Sequence, residues 1–138
     1  MASVLTLDNV NVDNKTVLVR VDINCPLRPD TKAFLDTTRI KAIVPTLNRL
    51  QHSKVVLLAH QSRPGKIDFT STLGHSRELG RILGRPIKWV DDLAGEKAMR
   101  AIEEMSVGDI LMLNNVRMYK DEVSTKGGFE VHADTAMV

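Results

Sequence analysis

Residues 17–26 read V-L-V-R-V-D-I-N-C-P. Val17, Leu18, Val19 and Val21 make an apolar, largely β-branched run of the kind that fills a strand. Asp22 and Asn24 follow at once, two positions apart and so on one side of an extended chain, before Pro26 breaks the run. Short polar side chains at a strand end bond nearby backbone N–H groups in turns, and they also line binding sites. Both readings account for the pair, and the sheet around it has to decide between them.

Three further apolar runs join the strand over 17–21: V-V-L-L-A at 55–59, P-I-K-W-V at 86–90 and I-L-M-L at 110–113. Their apolarity is continuous rather than alternating, which predicts strands covered on both faces, as in a parallel sheet. Helical patterns lie between them. Asp36 is a candidate N-cap for a first helix whose Ile40, Ile43, Val44, Leu47 and Leu50 form one buried stripe, with Pro45 expected to kink it. A second helix is predicted from Ser71 or Thr72 to Leu83, with Leu73, Leu79, Ile82 and Leu83 inward and Gly84-Arg85-Pro86 as its stop. A third runs over 95–105 through Ala98, Ala101, Ile102 and Met105, and a fourth follows Gly127-Gly128 with Phe129, Ala133 and Met137. Alternating strand and helix imply right-handed crossovers and an α/β fold: an open parallel sheet with helices on both faces, a Rossmann-like three-layer arrangement. A series that ends on a helix with no strand after it also leads us to expect a truncated domain.

Composition narrows the function classes. With 138 residues, 43% hydrophobic and 26% charged, the chain has the make-up of a globular domain rather than a disordered one. A net charge of +2 and 4% aromatic residues offer a nucleic acid little to bind or stack on. Cys25 is the only cysteine, which rules out an intrachain disulfide and reads as a small buried hydrophobe. No leader-like segment or membrane-length apolar run is present, so a cytoplasmic protein without membrane contact is expected.

In open parallel sheets, ligands gather outside the carboxyl ends of the strands. After the first strand come Asp22 and Asn24. After the second come His60, Ser62 and Arg63 in A-H-Q-S-R-P-G, and after the fourth Asn114, Asn115 and Arg117 in L-N-N-V-R-M-Y. Guanidinium groups offer a fixed fork of donors that matches phosphate and carboxylate oxygens, so this edge has the composition of a small-polyanion site. Taken singly, His60 reads as a structural histidine, Arg63 as a solvated loop charge and Arg117 as a partner for Asp121. Arg39 stands out differently: with Asp36 as cap it occupies the first helical turn, where the dipole is positive and an Arg costs about 0.3–1 kcal/mol relative to a carboxylate. Asp91-Asp92 could hold a divalent cation, but capping of the third helix is the simpler role. Neither G-x-G-x-x-G nor G-x-x-x-x-G-K-[ST] occurs.

Taken together, V-L-V-R-V-D-I-N-C-P-L, D-T-T-R-I-K-A-I-V-P-T-L, V-V-L-L-A-H-Q-S-R-P-G and G-D-I-L-M-L-N-N-V-R closely resemble, in order and spacing, the amino-terminal domain of phosphoglycerate kinase. The H-Q-S-R-P-G form is similar to that of its archaeal-type members. The resemblance runs from Thr6 to Tyr119. It implies a kinase that exchanges a phosphoryl group between ATP and 3-phosphoglycerate, forming 1,3-bisphosphoglycerate and ADP. It further implies that residues 1–138 are part of the 3-phosphoglycerate-binding domain, with Mg-ATP or ADP bound by a separate domain absent from this chain. By the same resemblance Asp22 and Asn24 contact the hydroxyl and carboxyl end of the substrate, and His60, Arg63 and Arg117 hold its remote phosphate. Arg39 would stabilise the phosphoryl group in flight as the catalytic residue. The fragment alone is expected to be inactive, and its unpaired sheet edge to invite self-association. Asn114 stands where the family usually has Glu, Cys25 where Val is common and Met118 where Phe is common. The alternative function is a non-catalytic α/β module that binds a phosphorylated metabolite or a protein partner.

Overall fold

The structure is a computed structural model, and it describes residues 5–119. Four strands, β1 (Thr16–Arg20), β2 (Lys54–Leu58), β3 (Lys88–Val90) and β4 (Ile110–Leu113), form one sheet in the order β1-β2-β4-β3. All three pairings are parallel, with Val17 beside Val55, Val55 beside Ile110, and Trp89 beside Met112. The α/β sheet expected from the continuous apolar runs is therefore present. The fourth expected helix lies outside the described residues.

The first helical pattern makes two helices, α1 (Thr38–Ala42) and α2 (Val44–Arg49). Pro45 falls at the start of α2, where its missing N–H and fixed φ cost nothing, so the expected kink is a full break at Ile43. The stripe survives the break, with Ile40, Leu47 and Leu50 buried. Helix α3 (Leu73–Leu83) ends at Gly84, whose φ of 72° provides the left-handed cap and whose N–H bonds Gly80 O at 2.9 Å. Helix α4 (Glu96–Glu103) follows Gly95. Here Asp92 does the capping: its carboxylate accepts the N–H groups of Leu93 and Ala98, each at 2.9 Å. A Cβ at Gly95 would sit 2.8 Å from that carboxylate, so the glycine makes room for the cap.

The helices lie on both faces, and each face has its own core. On one, Ile40, Leu47 and Leu79 of α1 to α3, with Leu50 just after α2, pack with Val55, Leu57, Ala59, Ile110 and Met112. On the other, Ala98 and Met105 pack with Val56, Leu58, Leu111 and Leu113. This is why β2 and β4 read as unbroken apolar runs. Strand β1 departs from the expectation: Val17 and Val19 pack into the first core, but Leu18 is 63% exposed. It borders an apolar groove of about 370 Å³ shared with Leu58, Ala98 and Met99.

Candidate functional site

Beyond the end of β1 the chain stays extended. Val21, Ile23, Cys25 and Leu27 turn into the core while Asp22 faces outward and Asn24 is half-buried on the same side. Asp22 performs turn chemistry, whereas Asn24 bonds a distant loop. Asp22 Oδ1 accepts the Asn24 N–H at 3.2 Å, and Asn24 Oδ1 accepts the Ser62 N–H at 2.9 Å. The second bond reaches across to the end of β2 and ties two strand-end loops together.

Ser62 is the hub of these loops. Its φ of 58° puts a non-glycine residue in the left-handed region, at a cost on the order of 1 kcal/mol that the surroundings must offset. Besides the bond to Asn24, its hydroxyl donates to Asp68 Oδ1 at 2.6 Å. Its carbonyl accepts from Arg117 Nη1 at 3.0 Å. Arg117 is fixed at its own backbone as well, because Asn115 Oδ1 accepts its N–H at 3.0 Å. The end of β4 is thus joined to the end of β2, and through Ser62 to the loop after β1.

Arg39 arrives from α1. Its Nη1 donates to Asp22 Oδ1 at 3.2 Å and to Asn24 O at 3.0 Å. The N-cap position belongs to Thr37, with Asp36 one residue earlier accepting the Thr38 N–H at 2.8 Å and the Thr38 hydroxyl at 2.6 Å; these bonds hold the Asp36 carboxyl below its ordinary pKa. And α1 has only five residues, so Arg39 lies in its last turn as much as in its first. A helix that short has no separate positive end to repel a guanidinium. His60 is half-buried immediately after β2 with Ala59, and Arg63 is exposed.

The structure therefore joins Asp22, Asn24, Arg39 and Arg117 in one hydrogen-bonded network, with His60 and Arg63 on the same β2 loop as its hub. Asp91 and Asp92 have structural roles, Asp91 Oδ1 accepting from Asn114 Nδ2 at 2.7 Å and Asp92 capping α4. Cys25 is 2% exposed, and burial pushes its thiol pKa up, as befits an inert hydrophobe. Sequence reasoning named Asn115 at the strand end but missed two buried polar residues behind the edge, Gln61 and His75. Asn115 Nδ2 donates to Gln61 O at 2.9 Å and Thr70 O at 2.8 Å. For Gln61 the available signal was its place in H-Q-S beside the end of β2; His75, inside α3, gave none.

Comparison with known proteins gives a consistent result. The family model for phosphoglycerate kinase matches residues 7–137. Phosphoglycerate kinase of Methanobacterium bryantii is 45% identical over 135 residues, covering 96% of this chain and 33% of the relative. Phosphoglycerate kinase 2 of Methanosarcina acetivorans is 47% identical, covering 97% and 32%. Among solved structures, phosphoglycerate kinase from Pyrococcus horikoshii OT3 aligns with a TM-score of 0.85 at 33% identity, over 92% of this chain and 31% of that one. The chain spans about a third of the length of the curated relatives it matches. On this evidence the chain belongs to the phosphoglycerate kinase family.

Proposed function

We propose that this chain is the portion of a phosphoglycerate kinase that binds 3-phosphoglycerate and 1,3-bisphosphoglycerate. The observation that supports the reading is the joining of three strand ends and α1 at one sheet edge. That edge presents a carboxylate, an amide, an imidazole and three guanidinium groups. Asp22 and Asn24 orient the hydroxyl and carboxyl end of the acid, while His60, Arg63 and Arg117 hold its remote phosphate. Arg39, already aimed between Asp22 and Asn24, stabilises the charge of the transferring phosphoryl group. Phosphoryl transfer asks a protein for positioning and electrostatic stabilisation more than for covalent chemistry, and these side chains supply both.

By family resemblance we assign Mg-ATP and ADP to a part of the enzyme outside the described residues, so the chain alone is expected to bind substrate without turning it over. A cytoplasmic setting fits a metabolic kinase of this class, and among the described residues no helix is long and apolar enough to cross a membrane. Among the described residues β1 ends the sheet, and through this edge the chain alone is expected to self-associate. Sedimentation velocity over a range of concentrations tests that point.

The main test is calorimetric titration of the chain with 3-phosphoglycerate at low and high salt. Binding weakens as salt rises, because at physiological ionic strength exposed charges are screened beyond about 8 Å. No binding to folded protein at low salt, or equal affinity at both salt levels, would overturn the anion site. Steady turnover by the chain with ATP would overturn the division of labour.

A further inference from the structure

Gln61 follows His60 at the end of β2, yet it is fully buried. Its side-chain amide behaves as a strand peptide would. Oε1 accepts the Cys25 N–H at 3.0 Å, and Nε2 donates to Cys25 O at 2.8 Å. These paired bonds fix the amide's orientation, since turning it over would set N–H against N–H and oxygen against oxygen. The second N–H of the amide points to Asp68 O at 3.5 Å. The remaining acceptor capacity of Oε1 meets His75 Nε2 at 2.8 Å. Because Oε1 can only accept, His75 must carry its proton on Nε2. That leaves His75 Nδ1 buried without a hydrogen-bond partner. Phe34 packs edge-on against the imidazole, the ring centroids 4.9 Å apart.

This arrangement is costly for a residue that only fills space. A Met or Leu would occupy much the same volume, but it would leave the Cys25 N–H and C=O unpaired in the core. Cys25 directly follows Asn24, and Gln61 lies between His60 and Ser62. The two bonds between them therefore set the separation of the loop that carries Asp22 and Asn24 from the loop that carries His60 and Arg63. We propose that Gln61, backed by His75, is a positioning residue that fixes the spacing between the two ends of the anion site. The proposal rests on the 3-phosphoglycerate reading above. Gln61 touches no substrate; it acts through the backbone of Cys25. A ligand gripped at both ends depends on that spacing, and one held by the phosphate end alone does not.

The test compares 3-phosphoglycerate and inorganic phosphate as ligands for the chain, by NMR titration, in wild type and Gln61→Met. In the variant the affinity for 3-phosphoglycerate falls about tenfold, as expected for two lost hydrogen bonds, while that for phosphate changes by less than about twofold. Hydrogen exchange of the Cys25 amide accelerates by about tenfold or more in the same variant, with the β2 amides of Val56 and Leu57 still protected. Equal losses for the two ligands, or an unchanged affinity for both, overturn the positioning role. If Gln61→Met does not fold, His75→Leu removes only the backing bond. In that variant the ratio of the two affinities drops about threefold, the effect of part of one hydrogen bond. An unchanged ratio in folded His75→Leu overturns the proposal. A wild-type chain that binds phosphate but not 3-phosphoglycerate overturns the substrate reading and the positioning role with it. Cys25 exchange, which needs no ligand, reports separately whether the clamp itself exists.

Discussion

Asn24 and Ser62 stand 38 positions apart in sequence, and the Asn24 side chain accepts the Ser62 N–H at 2.9 Å. The bond supports a residue in left-handed backbone conformation at the point where the loops after β1, β2 and β4 converge. A polar residue that looked like simple turn chemistry thus also braces its neighbours. Asn24→Ala removes the acceptor of that N–H and is expected to lower stability by about 1–2 kcal/mol. Asn24→Asp keeps an acceptor and the stability, but places a negative charge beside the proposed anion site and is expected to weaken 3-phosphoglycerate binding. Urea melts and calorimetry on the two variants check this. Equal stability loss in both would mean that Ser62 relies on something else.

Arg39→Gln is expected to leave stability within about 0.5 kcal/mol of the wild type. Arg39 and Asp22 are 53% and 66% exposed, so their pair contributes little, and the five-residue helix gives no dipole penalty to relieve. In a complete kinase carrying this segment, the role proposed for Arg39 predicts that the same change lowers turnover by about a hundredfold, as for loss of a donor aimed at the transferring group. Binding should suffer less if, as proposed, the other basic residues hold the remote phosphate. Normal turnover in a destabilised variant would make Arg39 structural.

Burial holds the pKa of His75 down, from 6.5 to about 4. The unfolded chain takes up this proton below its ordinary pKa and the folded chain resists it. Stability is therefore complete above about pH 6.5 and declines as the pH falls towards 4, by up to about 3 kcal/mol. Urea midpoints at several pH values check the wild type. His75→Leu should flatten the curve across that interval even if its stability at neutral pH is lower.

Asp92 acts in the same sense, at lower pH. The N–H groups of Ala98 and Leu93 hold its carboxyl below the usual 3.8, so its contribution is present above that pH and is lost as the pH falls through the lower folded value. Asp92→Ala should cost about 1–2 kcal/mol at neutral pH as α4 loses its cap, and should remove this acid-labile part. A thermal melt that shows no loss at neutral pH would count against the cap. Gly95→Ala should be destabilising for a related reason, its Cβ meeting the Asp92 carboxylate.

The strands, the stripe Ile40–Leu47–Leu50 and the polar residues at the strand ends were legible in the sequence, because each is written in local spacing: periods of one, two or three to four residues that decide which side chains share a face. Asp22, Asn24 and Arg117 were found that way. The tertiary structure alone decided the order β1-β2-β4-β3, the open face at Leu18, the break at Ile43 and the partner of Arg39. It also decided that Gln61 and His75 are buried, against the usual tendency of such residues. A polar side chain enters a core only if distant groups satisfy it. The partners of Gln61 lie at Cys25 and His75, 36 and 14 positions away. No local pattern encodes those distances. They exist only once parallel strands have brought their carboxyl ends to one edge.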